Sequence, residues 1–183
     1  ERKKLYKNKN IQPNEGHLAL AELEQLSKKK FLLVTQNIDD LHKKAGSKSL
    51  LNMHGTLENL FCMHCGFMIP YDFDINTSYT CTNCKKSGEV RVDVVWFGEQ
   101  PKYLKEIYNF LDRTDIFISV GTSNNVYPAA GFIDYLINKR KKIQTFEFNT
   151  ESTIKTDFFS QSFKGSSSKT LPKFIELIKK EIF

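Results

Sequence analysis

Four residues constrain this chain more than any others: Cys62, Cys65, Cys81 and Cys84 are all its cysteines, and they are spaced C-x2-C-x15-C-x2-C. Each Cys-x2-Cys pair turns two thiolates toward one point, so the two pairs offer four sulfur donors to a tetrahedral ion. The residues between the pairs are too few to build a core and fold unaided. Zinc is the expected ion, and a closed set of four thiolates leaves no open position for chemistry. Two disulfides would use the same cysteines, but no signal-like apolar stretch follows Glu1, and in the expected cytoplasmic setting thiols stay reduced. His64 lies inside the first pair and, with four thiolates at hand, is expected to be exposed. The metal holds a lobe, and the reacting groups have to be sought elsewhere.

Around that lobe the chain alternates short apolar runs with helical patterns. Behind Pro13-Asn14-Glu15-Gly16, apolar residues at Leu18, Leu20, Ala21, Leu23 and Leu26 predict a helix. Phe31 to Thr35 is partly β-branched and ends abruptly in Gln36-Asn37-Ile38-Asp39-Asp40, as a buried parallel strand does. Asp115 to Val120 closes on Gly121-Thr122-Ser123, and Ile143 to Phe148 closes on Asn149-Thr150-Glu151. Helices are predicted over Ala129 to Leu136 and from Leu171-Pro172 onward, with the proline tolerated in a first turn. The fold class is therefore α/β, with a parallel sheet covered on both faces. Ligands of such a sheet bind beyond the carboxyl ends of its strands, where all three polar clusters fall. One such cluster is an ordinary loop; three on one edge make a site.

The formal charge of +6 raises the question of a nucleic-acid partner. Its lysines are scattered in short runs such as Lys28-Lys29-Lys30 and Arg140-Lys141-Lys142, which read as solvated helix ends, so direct nucleic-acid binding is not expected. No run of 18 apolar residues is present, and no membrane span is expected. Of the four histidines, His17 and His42 read as structural. His54 ends the apolar segment Leu50-Leu51-Asn52-Met53 and precedes Gly55, which lets the backbone turn beside a cleft. An imidazole titrates near neutrality and can act as a general base; from position alone the catalytic and structural readings of His54 stand level.

Thr35-Gln36-Asn37-Ile38-Asp39, Met53-His54-Gly55, the cysteine pairs, Val95-Trp96-Phe97-Gly98-Glu99, Gly121-Thr122-Ser123 and Phe148-Asn149-Thr150-Glu151 occur in this order. The chain resembles the sirtuin family in that ordered set, from about Pro13 to the C-terminus. The resemblance implies a Rossmann-like NAD-binding domain over 17–54 and 94–183, a zinc-ribbon lobe over 55–93, and part of a helical small-lobe module over 1–16. It implies an NAD-dependent protein-lysine deacylase that acts on acyl-lysine proteins and releases nicotinamide and O-acyl-ADP-ribose. His54 would be the general base. Gln36, Asn37, Ile38 and Asp39 would surround the nicotinamide ribose, and Gly121, Thr122 and Ser123 the phosphates. Asn149, Thr150 and Glu151 would follow the adenosine ribose, and Ser167 would lie near adenine, unless Ser166-Ser167-Ser168 is only a flexible loop. Val95, Trp96, Phe97 and Gly98 would form the edge that pairs with an extended substrate peptide; the alternative is a core strand with Trp96 buried. One branch of the family binds succinyl- or malonyl-lysine through a Tyr-x-x-Arg pair, and Arg2 falls where that arginine belongs.

The chain departs from the family in having no Gly-Ala-Gly loop and no initiator Met, so an N-terminal βα unit is expected upstream of Glu1, and NAD binding without it is expected to be weak. Val92 stands where the family often has proline. Two other functions compete: a non-catalytic zinc-ribbon binding module, and an ADP-ribosyltransferase working in the same cleft.

Overall fold

The computed structural model describes residues 11–28, 30–70, 76, 78–139 and 142–182. Arg2 lies outside them. Helix α1, Glu15–Leu26, begins where Asn14 caps it, its side chain accepting from the amides of Gly16 at 2.9 Å and His17 at 3.2 Å. Losing such a cap costs about 1 kcal/mol. Ala19 and Leu23 on its buried face then meet the terminal helix, α5, Ser167–Ile182.

Three of the parallel strands follow the predicted runs, each beginning one or two residues later, and two more, Leu50–Asn52 and Gln161–Lys164, add to them. β1, Leu33–Thr35, pairs with β2, Leu50–Asn52, around the single-turn helix α2, Leu41–Lys44. β6, Ile116–Val120, β7, Gln144–Asn149, and β8, Gln161–Lys164, form a second parallel sheet in that order. The expected single sheet thus appears, among the described residues, as two. β1 and β6 face a shared cavity of about 1710 Å³ lined by Leu33, Val34, Ile118 and Val120.

Central β7 is buried along Thr145 to Phe148, as a strand covered on both faces should be. Its two faces differ. Phe146 and Phe148 join Phe163 and Phe174 in an aromatic cluster, with Phe148 stacked on Phe163 at 4.7 Å and set edge-on to Phe174 at 5.2 Å. Thr145 and Glu147 alternate with them and are satisfied by hydroxyls instead. A second core joins Met53 to Ile107 and Leu111 of α3, Leu104–Leu111, and to Phe132 and Leu136 of α4, Phe132–Lys139.

Between β2 and α3 the chain leaves the parallel layer. β3, Gly55–Cys62, pairs antiparallel with β4, Met68–Pro70, and β5, Val90–Val94, over a small core of Leu60, Ile69 and Val90 with Cys62 and Cys81.

Two local expectations change. The terminal helix begins four residues before Leu171, because Ser166 already accepts the amides of Lys169 and Thr170 at 2.9 and 3.0 Å; Pro172 therefore sits inside the helix rather than in its first turn. The serine run opens a helix and is not a free loop. The helix predicted over Ala129 to Leu136 divides into a 3-10 turn, Ala129–Gly131, and α4.

Candidate functional site

Thr35 closes β1 and shapes the loop after it: its hydroxyl accepts the Asn37 amide at 3.1 Å, and its carbonyl accepts the Met53 amide at 3.0 Å. These two bonds bring the Gln36 loop beside His54. The Nδ1 of His54 lies 3.0 Å from the Gln36 carbonyl. A carbonyl can only accept, so Nδ1 carries a proton and donates, and in the neutral ring Nε2 keeps its lone pair. The ring is thereby fixed as a base at one atom. The next residue has to be glycine: Gly55 holds φ +80°, and a Cβ there would fall 1.9 Å from the Asp93 carbonyl oxygen on β5. That close approach is where the zinc lobe meets the His54 turn.

Asp39 uses one carboxylate oxygen to accept the amide of Leu41 at 3.0 Å, at the start of α2. The structure also pairs the two histidines left as structural. His17 and His42 stand with ring centroids 4.7 Å apart, and burial, then the charge of His17, draw His42 down to about 4 against the opposing pull of Asp39. Burial lowers His17 as well. Both rings are neutral near pH 7.

On the opposite sheet, β6 is followed by Gly121 at φ +62°, whose amide donates to the Phe148 carbonyl at 2.8 Å. Thr122 is the hinge of the arrangement. Its carbonyl accepts Asn149 Nδ2 at 2.8 Å, and its hydroxyl lies 3.5 Å from Gln36 Nε2. Gln36, Thr122 and Asn149, from three different strand ends, are thus linked across the two sheets. Gln36, Asn37, Gly121, Thr122, Ser123 and Ser167 all line the large cavity. His54, Ile38, Asp39, Asn149, Thr150 and Glu151 do not line it; Thr150 and Glu151 are exposed at the end of β7.

The segment expected to receive the substrate peptide closes in a turn. Beyond Val95, whose amide donates to the His54 carbonyl at 3.0 Å, the Glu99 amide donates to the Trp96 carbonyl at 3.0 Å, and Glu99 takes the Trp96 amide at 2.8 Å. Arg91 of β5 reaches Glu99 at 2.6 Å and lies 4.4 Å from the Trp96 ring centroid. The Trp96 amide and Arg91 hold Glu99 below its ordinary range. Trp96 is 60% exposed and Phe97 fully so, which rules out the core alternative for Trp96. Two apolar rings are displayed at the junction between the lobe and the parallel layer.

The cysteine sulfurs all lie within 4.8 Å of one another, a spacing that one tetrahedral zinc fits. The two knuckles repeat one geometry: Gly66 follows Cys65 at φ +72°, Lys85 follows Cys84 at φ +61°, and the Gly66 and Lys85 amides donate to the Cys62 and Cys81 carbonyls at 2.9 and 3.0 Å. Local donors favour thiolate at two of the four, whereas, against the pull of the Lys86 amide, burial and the neighbouring sulfurs push Cys84 up to about 11. The Phe67 amide, then Asn83, draw Cys65 down to about 6, and the Cys84 amide leads in lowering Cys81. His64 is exposed, as expected, and sits 3.2 Å from Lys86 Nζ.

Sequence reasoning missed the His17–His42 pair and a buried group around Glu147 and Asn124. The one available signal was a carboxylate at position 147 between two phenylalanines, where a plain core strand has no use for it.

Comparison with known proteins agrees with this geometry. The family model described as "Sir2 family" matches residues 1–128. A protein of Bdellovibrio bacteriovorus named NAD-dependent protein deacylase is 49% identical over 166 residues, covering 91% of this chain and 69% of that protein. Enterobacterial proteins of the same name are 38% to 42% identical, and the chain spans 60% to 62% of their length. Among solved structures, a Sir2 homologue mutant in complex with ADP-ribose superposes with TM-score 0.85 at 31% identity, covering 98% of this chain and 71% of that one. A Sir2 structure bound to acetylated peptide gives TM-score 0.80 at 25% identity, covering 93% and 72%. With the family model matching well over half of the chain, and with the parallel layer, the four-thiol lobe and the His54 turn in place, the chain belongs to the Sir2 family.

Proposed function

We propose that the protein removes acyl groups from lysine side chains in a reaction that consumes NAD, with His54 as the general base. The observation that carries this reading is the 3.0 Å bond from His54 Nδ1 to the Gln36 carbonyl, which leaves Nε2 as the basic atom. The names of the relatives, NAD-dependent protein deacylase, supply the reaction class that such a base fits.

NAD, when bound, supplies a nicotinamide–ribose bond whose breaking lets the acyl oxygen join the ribose, and one water then releases the lysine amine from the acyl carbon, so that nicotinamide, free lysine and O-acyl-ADP-ribose result. The protein's part is to position and to move one proton. His54 Nε2 takes the proton of a ribose hydroxyl, a step in which a placed base contributes roughly 100-fold to 10,000-fold. Gln36, Asn37, Ile38 and Asp39 border the nicotinamide ribose, where polar contacts orient the sugar more than they react with it. Gly121, Thr122 and Ser123 offer a glycine turn and two hydroxyls to phosphate oxygens. Asn149, Thr150 and Glu151 follow the adenosine ribose, and Ser167, first residue of α5, lies toward adenine. Val95 through Gly98 receives the peptide, with exposed Trp96 and Phe97 as its apolar contacts. Zinc on the four cysteines keeps residues 55–93 folded against that edge. Among the described residues no helix is long and apolar enough to cross a membrane. The proposed setting is the cytoplasm, where four thiols stay reduced and open to zinc.

Nicotinamide release in the presence of NAD and an acetyl-lysine or succinyl-lysine peptide tests the reading. Release is expected with an acylated peptide and not with the unmodified one, and His54→Ala should abolish it. ADP-ribose attached to protein, with the peptide's acyl group retained, would contradict deacylation.

A further inference from the structure

Glu147 sits in the middle of β7 between Phe146 and Phe148 and is 1% exposed. A carboxyl group in such a place has to be satisfied by the protein itself. Four side chains do so. One oxygen accepts from Asn124 Nδ2 at 3.0 Å and from Thr153 at 2.7 Å; the other accepts from Thr156 at 2.7 Å and Ser162 at 3.1 Å. Asn124 directly follows Gly121-Thr122-Ser123, Thr153 lies two residues beyond Glu151, and Ser162 is on β8. One carboxyl group therefore ties both strand-end loops to the sheet between them.

Asn124 shows why a side chain is needed in the first loop. It is 4% exposed and holds φ +56°, a backbone region that glycine enters freely and asparagine tolerates. Backbone demands alone would be met by glycine. Asparagine adds Nδ2, which reaches Glu147 and also Thr153 at 3.2 Å, while its own amide donates to the Thr122 hydroxyl at 3.2 Å. Thr122 in turn holds Asn149.

Resting on the NAD reading above, we infer that Glu147 and Asn124 are positioning residues for the NAD phosphates and ribose. They touch no reacting atom. They fix the spacing of Thr122 and Asn149, and His54 stands at the end of the other sheet, so their removal weakens NAD affinity without slowing the chemical step.

Steady-state kinetics of the protein with NAD and an acetyl-lysine peptide, alongside melting temperature, tests this on three variants. Asn124→Gly keeps the left-handed backbone and deletes the donor: the KM for NAD should rise about tenfold, with kcat and the peptide KM within about twofold, while the melting temperature falls by only a few degrees. Glu147→Gln keeps the volume and one acceptor oxygen and should raise the KM for NAD by only about threefold. Asn124→Asp tolerates the same backbone but sets oxygen against oxygen, so it should be worse than Asn124→Gly. An unchanged KM for NAD in Asn124→Gly, or a loss of kcat and peptide affinity in step with melting temperature, would overturn the clamp. An active parent with insensitive variants removes the clamp alone; a parent that neither binds nor consumes NAD removes the NAD reading and the clamp with it.

Discussion

The cysteine lobe and the β6-β7-β8 sheet each have three strands, yet they are held by opposite means. The sheet is held by burial: Phe146, Phe148, Phe163 and Phe174 pack as one aromatic cluster against α1 and α5. The lobe buries only a small cluster, and two of its five residues are themselves cysteines. Burial cannot be titrated away, whereas a metal site can be emptied. The lobe is the part whose fold depends on solution conditions, and it sits against the His54 turn through Gly55 and Asp93.

Breaking a metal donor should have the largest effect. Cys81→Ser, in a buried cysteine of the cluster, should release the zinc and forfeit much of the roughly 10–16 kcal/mol that such sites contribute to folding. Native mass spectrometry should show loss of one zinc, and hydrogen exchange should show residues 55–62 and 90–94 unprotected while β7 stays protected. Simultaneous exposure of β7 would mean that the two regions are one cooperative unit. The mirror experiment is Phe148→Ala, which should cost about 3–5 kcal/mol in urea unfolding and leave zinc content unchanged in the folded protein.

A smaller effect is expected where the regions touch. Gly55→Ala introduces a clash with the Asp93 carbonyl and a side chain at φ +80°, and should destabilise by about 1–3 kcal/mol, with exchange rising first along the β3–β5 pairing. No change in stability would show that the approach relaxes freely. An effect of comparable size concerns acid. His42 titrates at about 4 in the folded chain against 6.5 for a free side chain, so the unfolded state binds the extra proton. Its contribution is complete above pH 6.5 and is lost as pH falls toward 4. Amide protection of α1 should decline across that window before β7 is affected; greater protection at low pH would contradict it.

These contrasts explain what the sequence made legible. The zinc site could be read because its ligands are local pairs whose spacing is itself the geometry. The parallel strands could be read because apolar runs ending in polar clusters mark carboxyl ends, and Gly55 could be read as a turn beside His54. Two hidden features depend on partners distant in the chain, His17 with His42 and Glu147 with Asn124; a third, Arg91 with Glu99 and Trp96, depends on a local turn. The turn within Val95 to Gly98 is hidden for a related reason. Its apolar residues look like a strand, but Glu99 folds back on the Trp96 amide and closes a turn. Pro172 misled in the same way, since Ser166, and not the proline, sets the helix start.

The most direct test of the central claim is mass spectrometry of the products formed from NAD and an acetyl-lysine peptide by the zinc-loaded protein and by its His54→Ala variant. O-acetyl-ADP-ribose and deacetylated peptide are expected in equal amounts from the parent, and neither from the variant. Equal product from both proteins would contradict the assignment of His54 as the base, and no product from the parent would contradict the proposed function itself.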